Sequence, residues 1–124
     1  MDLVSDIRDG TMTIRLDEPR LDAAIAIQFK DRVRELAEGA PPSVVLDLAS
    51  VTFLDSSGLG AIVAAMKAVG PDRRFMLSGV TPNVGRVLRL TRMDTVLAIL
   101  PDLDLPEVTV DDGPPTSARR NGTV

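Results

Sequence analysis

The chain contains no histidine and no cysteine. Those two absences exclude Ser-His-Asp and Cys-His nucleophile systems, zinc sites built on imidazole or thiolate, and any disulfide framework. Aromatic residues make up 2% of the sequence and all three are Phe, so the core must be aliphatic and no Tyr or Trp can stack on bases. Positive charge is in deficit as well, with 14 Lys and Arg against 18 Asp and Glu for a net charge of −4. With no cationic surplus to gather phosphates, a nucleic-acid partner is not expected. The uncharged apolar run Leu59 to Met66 is far too short to span a bilayer. The acidic start Met1-Asp2-Leu3-Val4-Ser5-Asp6 lacks a signal-peptide pattern. A soluble cytoplasmic protein with no membrane partner is therefore expected. No spacing of carboxylates points to a metal or to an acid–base pair, so no cofactor, metal site or catalytic residue is expected, and the chain is not read as an enzyme.

What remains is 124 residues with 44% apolar content, enough for one domain with a real core. Leu3 to Arg8 and Thr11 to Leu16 read as two strands around Asp9-Gly10, a hairpin turn signal. Met12, Ile14 and Leu16 alternate with Thr11, Thr13 and Arg15, as a half-buried strand requires. After a loop at Asp17-Glu18-Pro19-Arg20, Asp22 is placed to cap a helix with Ile25, Phe29, Val33 and Leu36 on one face. Gly39 and Pro41-Pro42 end it.

Ser43 to Leu48 is β-branched and apolar enough for a buried central strand. A second helix is expected over residues 57–69, with Leu59, Ile62, Val63, Met66 and Val69 inward and Gly70 as its stop. Phe75-Met76-Leu77 reads as a short strand. Thr81-Pro82 opens a third helix with Val84, Val87, Leu88 and then Thr91 inward, and Arg86, Arg89 and Arg92 recurring every third residue. That arginine run reads first as a solvated face and second as a docking strip for an acidic partner or for the tail. Periodicity does not decide between strand and helix for Val96 to Leu100. Strands first, then alternating helices and strands, give an α/β fold: a small mixed sheet of about four or five strands with helices packed against it. Residues 1–100 form that domain. Residues 101–124, with Asp102, Asp104, Glu107, Asp111, Asp112 and Gly113-Pro114-Pro115, read as an acidic, disordered tail dispensable for folding.

The chemistry concentrates at Asp55-Ser56-Ser57-Gly58-Leu59-Gly60, where a strand hands over to a helix. A helix start carries unpaired N–H groups and the positive end of the macrodipole, so a serine there can cap the helix or carry a phosphate. Both roles stand on the residues alone. The two glycines do not make a dinucleotide fingerprint, because position 63 is Val, and no Lys follows to make a P-loop.

Val51-Thr52-Phe53-Leu54-Asp55-Ser56-Ser57-Gly58-Leu59-Gly60, preceded by Val44-Val45-Leu46-Asp47-Leu48, resembles the signature of STAS domains, and within them bacterial anti-sigma factor antagonists. The resemblance covers roughly residues 3 to 100, and Thr81-Pro82-Asn83-Val84 resembles the family's opening of its third helix. It implies a protein that is ligand and substrate rather than catalyst. Ser56 matches the serine phosphorylated by an anti-sigma factor and serine kinase of histidine-kinase-like ATPase fold, and a PP2C-type phosphatase reverses the modification. Asp22, Asp55, Ser57, Gly58 and Leu59 are implied as the partner-binding set. Asp17-Glu18-Pro19-Arg20 departs from the family, which commonly places a glycine in that turn. The alternative implied by the same resemblance is a STAS signalling or scaffold module, one that could bind a nucleotide, with Ser56 unmodified.

Overall fold

A computed structural model of the chain describes residues 1–100; the expectation about the tail lies outside them. Strands β1 (Leu3–Arg8) and β2 (Thr11–Leu16) form the hairpin, with Asp9 and Gly10 both at positive φ, 52° and 77°. Positive φ at both central residues is the turn geometry that matches strand twist, and Gly10 adopts it without a Cβ penalty. A two-residue strand β3 (Arg20–Leu21) follows, then α1 (Ala26–Ala37), β4 (Ser43–Asp47) and a second two-residue strand β5 (Phe53–Leu54). The chain continues through α2 (Ser56–Val69), β6 (Arg74–Ser78), α3 (Pro82–Leu90), a 3-10 turn at Met93–Thr95 and β7 (Ala98–Ile99).

The main sheet has five strands in the order β1-β2-β4-β6-β7, antiparallel at β1–β2 and parallel elsewhere. The small mixed α/β sheet expected from the sequence is therefore present, with β4 at its centre. Each helical crossover steps one strand in the same direction, so crossovers of one hand stack their helices on one face. Burial follows that geometry: Met12, Ile14, Leu16, Val44, Leu46 and Leu77 are buried on one face, whereas Thr13 and Arg15 are exposed on the other. Phe29 and Val33 of α1, Ile62 of α2 and Leu88 of α3 close the core, each burying a side chain worth about 1.5–3 kcal/mol.

Four expectations need correction. In α2 the buried residues are Gly58, Ala61, Ile62, Ala65 and Val69, so the inward face is rotated towards the small residues. Val63 and Met66 are only half-buried, because α1 packs closely on α2 and close packing selects Gly and Ala over the larger side chains. Thr91 is exposed and donates its hydroxyl to the Val87 carbonyl at 2.7 Å as α3 ends. Arg92 has left the helix with φ 62°, so the arginine strip stops at Arg89. Arg20 belongs to β3 rather than to a loop, and the undecided segment Val96 to Leu100 contains the edge strand β7.

Candidate functional site

The site is built by the two short strands. β3 and β5 pair in parallel, Arg20 with Phe53 and Leu21 with Leu54. Their period-2 alternation sends Leu21 and Leu54 into the core, while the Arg20 guanidinium lies 3.9 Å from the centroid of the half-exposed Phe53 ring outside. The Pro19 carbonyl accepts from the Thr52 and Phe53 N–H groups at 2.8 and 3.2 Å, and Ser50 Oγ donates to Asp17 at 3.0 Å. The Asp17-Glu18-Pro19-Arg20 turn is thus clipped to the segment leading into α2. Because the strands run parallel and in register, the residues that follow them, Asp22 and Asp55, emerge side by side.

Asp55 joins the two emerging loops. Its Oδ1 accepts the Gly58 N–H at 2.8 Å, capping α2, and its Oδ2 accepts the Ala23 N–H at 3.3 Å. Asp22 does not cap α1 as expected from the sequence. The α1 N-cap is Ile25, which makes no side-chain cap, and Asp22 instead accepts the Ala24 N–H at 3.1 Å and the Arg20 Nε–H at 3.1 Å. A turn over Asp22 to Ala26 intervenes, closed by the Asp22 carbonyl, so the aspartate side chain organises that turn rather than the helix behind it.

Gly58 sits in the first turn of α2 directly on the Leu21 carbonyl; a Cβ there would overlap that oxygen and press on Leu54. Only glycine permits this approach. Gly60, two residues on, has open space where its Cβ would be. Leu59 is half-buried and packs on the core.

With the cap supplied by Asp55, neither serine is needed for it. Ser56 and Ser57 occupy the first two helical positions, both exposed, and among the described residues neither hydroxyl meets a hydrogen-bond partner. Of the two roles open to a serine at this point, capping is taken by the aspartate. Their surroundings differ. Ser57 lines a groove of about 450 Å³ between α1 and α2, with Ala23, Ile27, Lys30, Gly60 and Ala64. Ser56 lies outside that groove. Ile27 and Lys30 did not stand out in the sequence, although Ile27 falls off the Phe29–Val33 face and is 67% exposed, a signal that helical spacing carries. Among the described residues no group of three or more acidic side chains could hold a metal ion, and no helix is long and apolar enough to cross a membrane.

The STAS domain family model matches residues 2–105. Among characterised relatives, the anti-sigma-B factor antagonist of Staphylococcus aureus is 22% identical over 80 residues, which is 64% of this chain and 74% of that protein. Among solved structures, an anti-sigma factor antagonist from Mycobacterium paratuberculosis superposes with a TM-score of 0.74 at 25% identity, covering 83% of this chain and 87% of the other. The Bacillus cell fate determinant SpoIIAA in its phosphorylated form shares the fold, with a TM-score of 0.60, 19% identity and coverage of 81% and 92%. The family match spans most of the chain, and the five-stranded sheet with its three helices agrees with the solved anti-sigma factor antagonist: the chain belongs to the STAS domain family.

Proposed function

We propose that the chain is an anti-sigma factor antagonist whose affinity for its partner is set by phosphorylation of Ser56. The observation that carries this reading is the division of labour at the start of α2. Asp55 holds the helix end and Ser56 keeps an exposed hydroxyl at its first position, without a partner among the described residues. In this reading Asp22, Asp55, Ser57, Gly58 and Leu59 frame the partner surface, Asp55 and Gly58 by fixing the backbone and Ser57 by direct exposure. The partner is an anti-sigma factor and serine kinase of histidine-kinase-like ATPase fold, a PP2C-type phosphatase removes the phosphate, and the exchange takes place in the cytoplasm. The chain itself is substrate and ligand, not enzyme.

The physics of the switch is electrostatic. A phosphate adds about −1.5 to −2 charges at neutral pH. Against an acidic group about 6 Å away on the partner, at an effective dielectric of about 20, each added charge costs roughly 3 kcal/mol before screening. That is about a hundredfold in affinity. The phosphate would sit at the positive end of α2, beside the Ser56 and Ser57 N–H groups, so the domain itself need not rearrange. Bacillus SpoIIAA, a protein of this fold, exists in a phosphorylated form.

Co-expression with a serine kinase of that ATPase class from the same genome, followed by fragment mass spectrometry, tests the site. One phosphate on Ser56 is expected. Phosphate on Ser57 contradicts the assignment, and an unmodified chain that still binds its partner returns the protein to the alternative, a STAS signalling or scaffold module without serine control.

A further inference from the structure

Strand β1 forms one edge of the main sheet, and five of its six residues are exposed. Edge strands are commonly blunted by Pro, by charged side chains, Lys above all, or by short length. β1 has no Pro or Lys and spans six positions; its charges are the opposite pair Asp6 and Arg8, and Val4 and Ile7 are 51% and 55% exposed. Its backbone polarity can be assigned. The Asp17 N–H donates to the Asp2 carbonyl at 2.8 Å, so Asp2 turns its polar groups towards β2, and β1 pairs with β2 in antiparallel register. Polar groups alternate sides along a strand, so Val4, Asp6 and Arg8 also bond to β2 while Leu3, Ser5 and Ile7 aim theirs at the edge that no strand covers among the described residues.

We propose that this edge pairs with β1 of a second copy of the chain, antiparallel about a two-fold axis at Ser5, giving a continuous ten-stranded sheet. The register follows from ladder length and charge: centring on Leu3 pairs only residues 1–5 and leaves the outward groups of Ile7 unmatched. A two-fold normal to the sheet keeps each side chain on its own face, so same-parity residues must oppose one another. Centring on Val4 sets Asp2 against Asp6, centring on Asp6 sets that carboxylate against its own copy, and centring on Ile7 runs the ladder into the Asp9 turn. Like charges directly opposite are unfavourable. Centring on Ser5 leaves no carboxylates opposed. It sets Leu3 opposite Ile7 twice on the helix-covered face and Asp2 opposite Arg8 twice on the open face. Leu3, Ser5 and Ile7 then find donors and acceptors for every outward backbone group. Arg8 already lies 3.3 Å from Asp6 in its own strand, so each arginine would lie between two carboxylates.

The test is sedimentation equilibrium of the full chain up to about 1 mM, with charge-reversal variants. Wild type should be a reversible dimer. Asp2→Arg and Arg8→Asp should each weaken association about tenfold, since each sets like charges opposite one another at two symmetric positions. The double variant D2R/R8D should restore association to within about threefold of wild type. Ser5→Pro, which removes an outward N–H without touching the β1–β2 ladder, should yield monomer with unchanged circular dichroism. A chain monomeric throughout overturns the proposal. So does a dimer indifferent to both single reversals, which would be joined through another face. If Ser5→Pro misfolds, the reversal and rescue set decides alone.

Discussion

At the start of α3 the Thr81 hydroxyl donates to the Val51 carbonyl at 2.5 Å and Pro82 takes the first helical position; at the start of α2 Asp55 takes the cap and the Ser56 hydroxyl has no partner among the described residues. Both segments place a hydroxyl residue where a strand gives way to a helix. In α3 the hydroxyl ties the helix to the loop that leads into β5, so it is occupied structurally. In α2 that duty belongs to a carboxylate, which accepts from both Gly58 and Ala23. Thr81 makes no side-chain cap to α3 and its hydroxyl is taken up by the Val51 loop. The Ser56 hydroxyl, next to a carboxylate that both caps and bridges, meets no partner among the described residues.

Perturbing the two ends should separate them. The largest effect is expected from Gly58→Ala, whose Cβ collides with the Leu21 backbone rather than a movable side chain. It should cost about 2–4 kcal/mol and lower the melting temperature by 10 °C or more, whereas Gly60→Ala, with open space at its Cβ, should change it little. Calorimetry of the pair measures both. Asp55→Ala comes next. It removes a cap and leaves the Ala23 N–H without its carboxylate, an expected loss of about 1–3 kcal/mol in denaturant unfolding.

Thr81→Val keeps the shape and deletes the bond to Val51, for an expected loss of about 1 kcal/mol by the same measurement. Ser56→Ala should change stability by no more than about 0.5 kcal/mol, because its hydroxyl has no bond to lose among the described residues. Equal losses at Thr81 and Ser56 would dissolve the distinction drawn between the two helices.

Much of this architecture was legible in the sequence because its signals are local. The Asp9-Gly10 turn, the alternation of Met12, Ile14 and Leu16, and the Thr81-Pro82 start each need only a few neighbouring residues. The α2 face was misjudged because periodicity ranks residues by hydrophobicity. The Leu21 carbonyl instead selected Gly58, and close packing around α2 selected Ala61 and Ala65. The β3–β5 pair could not be read at all, since two-residue strands carry no period and their pairing joins segments more than thirty residues apart. For the same reason Asp22 looked like a cap for α1, and the bond from Ala23 to Asp55 was invisible. The Asp55–Gly60 run stood out as chemistry from the sequence, but the identity of the capping residue required coordinates.

The central claim is that Ser56 serves binding and not folding. The measurement that tests it most directly is the affinity of Ser56→Asp for its cognate anti-sigma factor, taken with its melting temperature. A single negative charge at a helix start is neutral or mildly stabilising, so the melting temperature should stay within about 3 °C of wild type. Partner affinity should fall at least about threefold, the lower bound for one charge about 6 Å from an acidic group through water, and about a hundredfold at an effective dielectric of about 20. Undiminished affinity, with or without a loss of stability, would contradict the claim and make Ser56 an ordinary residue of the helix.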